Sequence, residues 1–266
     1  MRLIAIPPYQ NPVVKWDWVL CELLNDYRKT GALKGVEVDV DEGYMAESGS
    51  ERRDEEVRAL ISVGVIKKVK EYSEMGKYDA IIGTGGIDPG FMPARLACTI
   101  PFVGALHSAV HIASLLGERF SIIHSTGFIR DVDSASRIMK NLVESYSLGS
   151  KLASVRLVGL WAQHTHGFVQ YVYEFLIKYK DNWEERLEDP ELKKIIDDTI
   201  AQCIAAIKED GADSLIIPCE HLTACADGVR QGLNKAGYNE IPIICGLSAG
   251  LEMAKAMVNM RRLQTT

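Results

Sequence analysis

The feature of this sequence that most constrains its fold is a pair of blocks that occurs twice. Residues 79–85 read Asp-Ala-Ile-Ile-Gly-Thr-Gly, and residues 213–219 read Asp-Ser-Leu-Ile-Ile-Pro-Cys. Each is followed by a second block, Ile-Pro-Phe-Val-Gly-Ala-Leu-His at 100–107 and Ile-Pro-Ile-Ile-Cys-Gly-Leu-Ser at 241–248. The period is far too long for a solenoid, so the repeat predicts two similar halves that arose by duplication.

Short apolar runs alternate with helical patterns through both halves. The runs typical of buried parallel strands are residues 2–6, 36–40, 79–83, 101–104, 120–124, 154–159, 213–218 and 242–245. Over residues 54–76 and 191–208, apolar residues recur on one helical face. This alternation predicts an α/β fold with mostly parallel sheets.

The repeat also predicts how the chain divides. Residues 3–6 correspond to residues 121–124, so each half begins with an equivalent strand and should form its own lobe, with a cleft between the two lobes. We expect lobe 1 to comprise residues 1–104 and 219–266, and lobe 2 to comprise residues 105–218.

Composition and charge exclude several kinds of partner. The 266 residues are 47% hydrophobic and 25% charged, which is typical of a soluble globular protein. The net charge of −6 argues against a nucleic-acid or anionic membrane partner, because both require a basic surface. Residues 1–8 hold too short an apolar run for a secretory signal. With six cysteines and no sign of export, we expect reduced thiols and a cytoplasmic protein.

Chemically capable residues follow the predicted strands. In open parallel sheets, ligands bind outside the carboxyl ends of the strands. The residues at these ends are Tyr9, Gln10, Asn11, Thr84, Gly85, Gly86, His107, His124, Ser125, Thr126, Cys219, Glu220 and His221. They concentrate histidines and one cysteine at a single edge, which predicts a small-molecule site there.

Cys219 is the strongest candidate for acid/base chemistry. It lies between a strand and a helix predicted over Leu222–Lys235. A helix N-terminus lowers the pKa of a thiol, and a thiolate can accept a proton or act as a nucleophile. The alternative is a small buried apolar cysteine at a strand end. The other five cysteines lie in helical patterns or at a strand end typical of core residues.

Five collinear blocks give the chain a family resemblance. They are Tyr78–Ile82 with Asp88-Pro89-Gly90, Ile100–Gly104, Gly117–Ile123, Ser150–Arg156, and Gly211–Cys219. Together they resemble the aspartate/glutamate racemase superfamily and are most similar to its hydantoin and allantoin racemase branch. The resemblance implies two Rossmann-like lobes related by pseudo-twofold symmetry, and a homodimer or larger homo-oligomer. It also implies cofactor-independent, metal-free proton transfer next to a carbonyl by two cysteines.

The sequence departs from the family pattern at two places. The family's second cysteine matches Cys219, but its first cysteine matches Gly85, and the internal repeat pairs the same two positions. The Asn-Pro-Asn-Ser/Thr loop of hydantoin racemases is also absent, since residues 7–11 read Pro-Pro-Tyr-Gln-Asn. The arylmalonate decarboxylases of the superfamily resemble this pattern, with glycine at the first position and one cysteine retained.

One thiol serves one face of a carbon, whereas stereoinversion needs proton carriers on both faces. His107, which the repeat pairs with Ser248, is the candidate second carrier. We expect a racemase or isomerase of a small carboxylate or cyclic amide. The first alternative is a decarboxylase or lyase, in which the thiol protonates a carbanion on one face. The second is a non-catalytic small-molecule binder.

Two groups of residues should hold the substrate. Backbone N–H groups of the loop Thr84-Gly85-Gly86 would bind an enolate oxygen. The candidates for binding a substrate carboxylate are Tyr9, Gln10, Asn11, Ser125 and Thr126, and Glu220 and His221 complete the predicted substrate-binding set. His107 and His111, four residues apart, would make half of a metal site with Cys219, Glu220 or His221, but no full ligand motif is present and we expect no metal.

Overall fold

The computed structural model describes residues 1–8, 10, 16–43, 55–125, 132–160 and 168–264, which divide into two compact units. The first unit is Met1–Ser108 with Gly246–Thr266, and the second is Ala109–Cys245. Each unit is built around one parallel sheet with helices packed beside it.

The first unit contains a four-stranded parallel sheet in the order β2-β1-β3-β4. Its strands are β1 (Arg2–Ile6), β2 (Glu37–Val40), β3 (Ala80–Gly83) and β4 (Phe102–Gly104). Its helices are α1 (Trp16–Lys29), α2 (Glu55–Glu74), α3 (Phe91–Ala97) and α10 (Gly246–Gln264), with the start of α4 (Ala105–Leu116). All four residues of β3 are buried, as expected for a central parallel strand.

The second unit repeats this architecture, with strand order β6-β5-β7-β8. Its strands are β5 (Phe120–Ser125), β6 (Leu152–Val158), β7 (Ser214–Ile217) and β8 (Ile243–Cys245). Its helices are α5 (Val132–Ser145), α6 (Phe168–Leu176), α7 (Pro190–Lys208), α8 (Glu220–Thr223) and α9 (Ala226–Lys235). The two strand orders are equivalent, so the predicted α/β fold with parallel sheets is confirmed.

The aspartate that opens each repeat block has the same role in both units. The carboxylate of Asp79 accepts a hydrogen bond from the backbone N–H of Arg2 at 2.7 Å. The carboxylate of Asp213 accepts from the backbone N–H groups of Glu118 and Arg119 at 2.7 and 3.1 Å. Each aspartate therefore ties the start of the third strand of its sheet to the start of the first strand.

The division of the chain differs from the predicted boundaries in two segments. Residues 219–245, expected in lobe 1, belong to the second unit. The reason is strand pairing: β8 hydrogen-bonds to β7, with Leu215 opposite Ile243. Residues 105–108, expected in lobe 2, belong to the first unit. Within the described ranges, no helix is both long and apolar enough to cross a membrane.

Candidate functional site

Cys219 lies directly beyond the carboxyl end of β7, where the chain turns into α8. Its backbone is extended, with φ −95° and ψ 137°, and the residue caps the start of α8. Its carbonyl accepts hydrogen bonds from the N–H and the hydroxyl of Thr223 at 2.9 and 3.0 Å. The residue is only 6% exposed. The thiol is therefore fixed at the edge of the sheet where α/β proteins bind ligands.

The helix after Cys219 is not the one that the sequence predicts. The prediction of one continuous helix over Leu222–Lys235 was wrong, because α8 ends at Thr223 and α9 begins at Ala226. Cys219 therefore caps a helix of four residues. The dipole of a long helix, on which the expected activation of the thiol depended, does not act on Cys219.

The structure instead places an imidazole beside the thiol. The Sγ atom of Cys219 lies 3.1 Å from Nδ1 of His124. His124 belongs to β5, which pairs directly with β7, so the ends of these two strands meet. Burial lowers the pKa of His124 from 6.5 to about 4. The imidazole is therefore neutral at pH 7.

A second buried imidazole lies in the same region of the unit. Nε2 of His221 is 2.9 Å from Oγ of Ser125, the last residue of β5. Burial, with a smaller effect from His124, lowers the pKa of His221 to about 3. The ring of Tyr173, from α6, packs near His221 with the ring centroids 6.1 Å apart. His221, although only two residues from Cys219, contacts the serine.

The second unit thus contains five of the residues predicted at the strand ends: His124 contacts Cys219, Ser125 contacts His221, and Glu220 lies between Cys219 and His221 in the chain. Glu220, the first residue of α8, is 2% exposed. Among the described residues, no group of three or more His, Cys, Asp or Glu side chains is arranged to hold a metal ion.

Burial raises the pKa values of the other five cysteine thiols. Burial raises the pKa of Cys203 and of Cys225 to about 12, and that of Cys245 to about 11. Burial also raises the pKa values of Cys21 and Cys98. These five thiols are therefore protonated at pH 7.

In the first unit, the loop Thr84-Gly85-Gly86 follows β3 and is buried. The N–H of Thr84 donates to the carbonyl of Ile6 at 3.0 Å. Oγ1 of Thr84, in a residue only 1% exposed, has no hydrogen-bond partner in the described part of the chain. Gly85 has a φ of +92°, and a Cβ at this position would lie 3.0 Å from Cγ of Pro8. The structure therefore favours glycine where the family pattern has its first cysteine.

His107 lies in the first turn of α4. Its backbone N–H donates to Asp88 at 2.6 Å, and the N–H of Leu106 donates to the same carboxylate at 3.1 Å. The imidazole of His107 packs on the ring of Phe91, with the centroids 4.6 Å apart. Asp88 thus occupies the first amides of α4, which leaves the side chain of His107 as the group with potential acid/base chemistry.

The N-terminal candidates are described in part. Gln10 donates from Nε2 to a carboxylate oxygen of Glu42 at 3.4 Å. Tyr9, Asn11 and Thr126 lie outside the described residues.

Comparison with known proteins decides the family. Residues 25–254 match the Asp/Glu/hydantoin racemase family. The chain belongs to this family. Its relatives include a hydantoin racemase from Pseudomonas sp. (strain NS671), which is 27% identical over 197 residues. That match covers 74% of this chain and 65% of the relative, so the chain matches just under two thirds of the relative's length.

Solved structures show the same fold. An allantoin racemase from Klebsiella pneumoniae superimposes with a TM-score of 0.69 at 21% identity, over 98% of this chain and 88% of that one. An arylmalonate decarboxylase superimposes with a TM-score of 0.54 at 12% identity, over 97% of this chain and 92% of that one. At these identities the likeness establishes the fold alone.

Sequence reasoning missed the contact between His124 and Cys219. A signal for it was present, because the repeat makes β5 and β7 equivalent to strands β1 and β3, which are neighbours in their own sheet. Residues at the ends of adjacent parallel strands lie close together. Tyr173 was also missed, because nothing in its local sequence distinguishes it from other aromatic residues of an amphipathic helix.

Proposed function

We propose that this protein is a racemase or isomerase that moves a proton at a carbon next to a carbonyl, in a small carboxylate or cyclic amide. The observation that carries the proposal is the buried thiol of Cys219, held 3.1 Å from a neutral imidazole at the carboxyl edge of a parallel sheet. Membership of the Asp/Glu/hydantoin racemase family and the similarity to hydantoin racemases support the same reaction class.

Cys219 is the proposed acid/base. As an acid it gives its proton to a carbanion, so that an S–H bond breaks, a C–H bond forms and the thiolate keeps the electron pair. As a base the thiolate performs the reverse step. A thiol suits this task because its ordinary pKa lies near neutral pH and its environment readily shifts it.

The hydroxyl of Thr84 and the backbone of Gly85 and Gly86 are the proposed donor set for the carbonyl oxygen of the substrate, whereas the backbone N–H of Thr84, expected to contribute, donates to the carbonyl of Ile6. Proton removal next to a carbonyl places negative charge on that oxygen, and preorganised donors stabilise it. The hydroxyl of Thr84 supports this assignment, because it is buried and has no hydrogen-bond partner in the described part of the chain. His107 is the proposed proton carrier on the second face of the carbon. Gln10, Ser125, Glu220 and His221 are the described candidates for holding the rest of the substrate.

The conformation of Gly85 favours a second candidate function. A side chain is disfavoured at this position by the positive φ and by Pro8, so the family's first thiol has no direct substitute there. If His107 carries no proton, the chemistry is one-sided. Loss of carbon dioxide followed by protonation from Cys219 would then give a decarboxylase.

Three further properties are proposed for the enzyme as a whole. It works without a cofactor and as a homo-oligomer, as the family resemblance implies. It works in the cytoplasm, which accords with six cysteines that are all free thiols.

Proton NMR in deuterated water tests the proposal with a panel of hydantoins, amino acids, malonates and hydroxy acids. A racemase or isomerase introduces deuterium next to the carbonyl and leaves the carbon skeleton intact, whereas a decarboxylase loses a carbon and leaves a single deuterium. Cys219→Ala should reduce turnover on the order of 10²–10⁴-fold, the usual contribution of an acid/base group. Cys225→Ala, which removes a buried thiol six residues away, is the matched control and should retain activity. Full turnover by Cys219→Ala would contradict the mechanism.

A further inference from the structure

The thiol of Cys219 and the imidazole of His124 form a pair that the proposed reaction does not by itself require. Both residues are buried, with 6% and 4% of their surfaces exposed. His124 lies in β5, and Cys219 follows two residues after the end of β7; these two strands are adjacent, with Ile122 opposite Ile216. The pairing of the two strands thus brings the chain at Cys219 close to His124, and Sγ lies 3.1 Å from Nδ1.

The position of the proton in this pair follows from the burial. A buried imidazolium beside a buried thiolate would require two charges to be taken out of water, which costs several kcal/mol per ion. The proton therefore stays on sulfur, Nδ1 is the hydrogen-bond acceptor and Nε2 carries the imidazole proton.

We propose that His124 is a positioning residue for Cys219: its Nδ1 accepts a hydrogen bond from the thiol and holds Cys219 as a neutral, oriented proton donor. The role rests on the proposed function of Cys219, whereas the hydrogen bond itself does not. His221 does not share this role, because its Nε2 is directed to the hydroxyl of Ser125 at 2.9 Å. The histidine that positions the thiol thus comes from the neighbouring strand rather than from the adjacent turn.

Infrared spectroscopy tests the hydrogen bond without any knowledge of the substrate. The S–H stretching band lies in a region clear of other protein bands, and the difference between wild type and Cys219→Ser isolates the band of Cys219. At pH 7 we expect a broadened band, shifted to lower frequency by donation to nitrogen. A band at the frequency of a free thiol, or no band because the thiol is ionised, would overturn the proposal.

Substitutions separate His124 from His221. His124→Asn keeps an acceptor oxygen near the position of Nδ1, so the band should remain shifted, although less than in wild type. His124→Leu removes the acceptor and should return the band to the free-thiol frequency. His221→Gln keeps an acceptor near the position of Nε2 and should leave the band unchanged. Loss of the shift in His221→Gln but not in His124→Leu would show that His221, and not His124, accepts the hydrogen bond, and would overturn the proposal.

Kinetics on whichever compound undergoes exchange then test the positioning role. In His124→Leu, kcat should fall on the order of 10–100-fold, below the 10²–10⁴-fold typical of the proton-transferring group itself, and KM should change little. His124→Asn should recover most of kcat. A shifted infrared band with no exchange in any compound would contradict the proposed function while leaving the hydrogen bond intact. Equal kcat values for His124→Leu and wild type would show that the hydrogen bond has no role in turnover.

Discussion

Gly85 shows how one backbone angle restricts the chemistry that a position can hold. Its φ of +92° is a conformation that L-residues adopt at a cost of about 1–2 kcal/mol. Its missing Cβ would also contact the ring of Pro8 at 3.0 Å, so two separate effects oppose any side chain. A thiol at this position, as the family pattern has it, would need Pro8 to shift.

The two effects at Gly85 can be separated by comparison with Gly31. Gly31 has a φ of +83°, but its Cβ would meet no atom within 4 Å. We expect Gly31→Ala to lower the free energy of unfolding by about 1 kcal/mol, from the backbone alone. Gly85→Ala and Gly85→Cys should each lower the free energy of unfolding by more than this. Adding Pro8→Ala to Gly85→Ala should recover part of the difference. Urea denaturation of the four variants measures these values, and equal losses at both glycines would mean that Pro8 yields without cost.

At the scale of secondary structure elements, the repeated aspartates fix how strands begin. Asp213 satisfies two backbone N–H groups ahead of β5, and Asp79 satisfies one at the start of β1. A carboxylate that accepts backbone hydrogen bonds at such a position contributes about 1–2 kcal/mol. We expect Asp213→Ala to destabilise the second unit by this amount, and Asp213→Asn to do so by less. Asp197→Ala, at an exposed position of α7, is the control and should change stability by less than about 0.5 kcal/mol. Urea denaturation measures the loss in free energy of unfolding. Equal losses in Asp213→Ala and Asp197→Ala would show that the hydrogen bonds of Asp213 do not stabilise the start of β5.

The elements also show which features the sequence could predict. The parallel strands and the two equivalent halves were predictable, because burial on both faces produces short apolar runs and the duplication leaves matching blocks. The position of residues 219–245 was not, because that depends on β8 pairing with β7 rather than on local sequence. The break between α8 and α9 was missed because the apolar pattern continues through it. The pairing of His124 with Cys219 depends on the adjacency of two strands that are distant in the chain; local spacing does not reveal it, and the internal repeat was the one signal for it.

At the scale of the whole molecule, the two buried imidazoles make stability depend on pH. The unfolded chain protonates its histidines near pH 6.5, whereas the folded values are about 4 for His124 and about 3 for His221. The unfolded state therefore binds more protons as the pH falls below 6.5, so stability is complete above that pH and is lost towards pH 4. Each pKa unit corresponds to about 1.4 kcal/mol, so the pair accounts for several kcal/mol.

The range from pH 6.5 to 5.5 isolates this effect, because aspartates with lowered pKa values, such as Asp79 and Asp210, are ionised there in both the folded and the unfolded state. We expect the urea midpoint of wild type to fall steeply across this range. His124→Asn combined with His221→Gln should make the profile nearly flat, even if the double variant is less stable at pH 7. His111→Asn, which removes a half-buried histidine, is the control and should keep the wild-type slope. Amide exchange of β5 and β7 assigns the loss to the second unit. An unchanged slope in the double variant would mean that other groups cause the acid sensitivity.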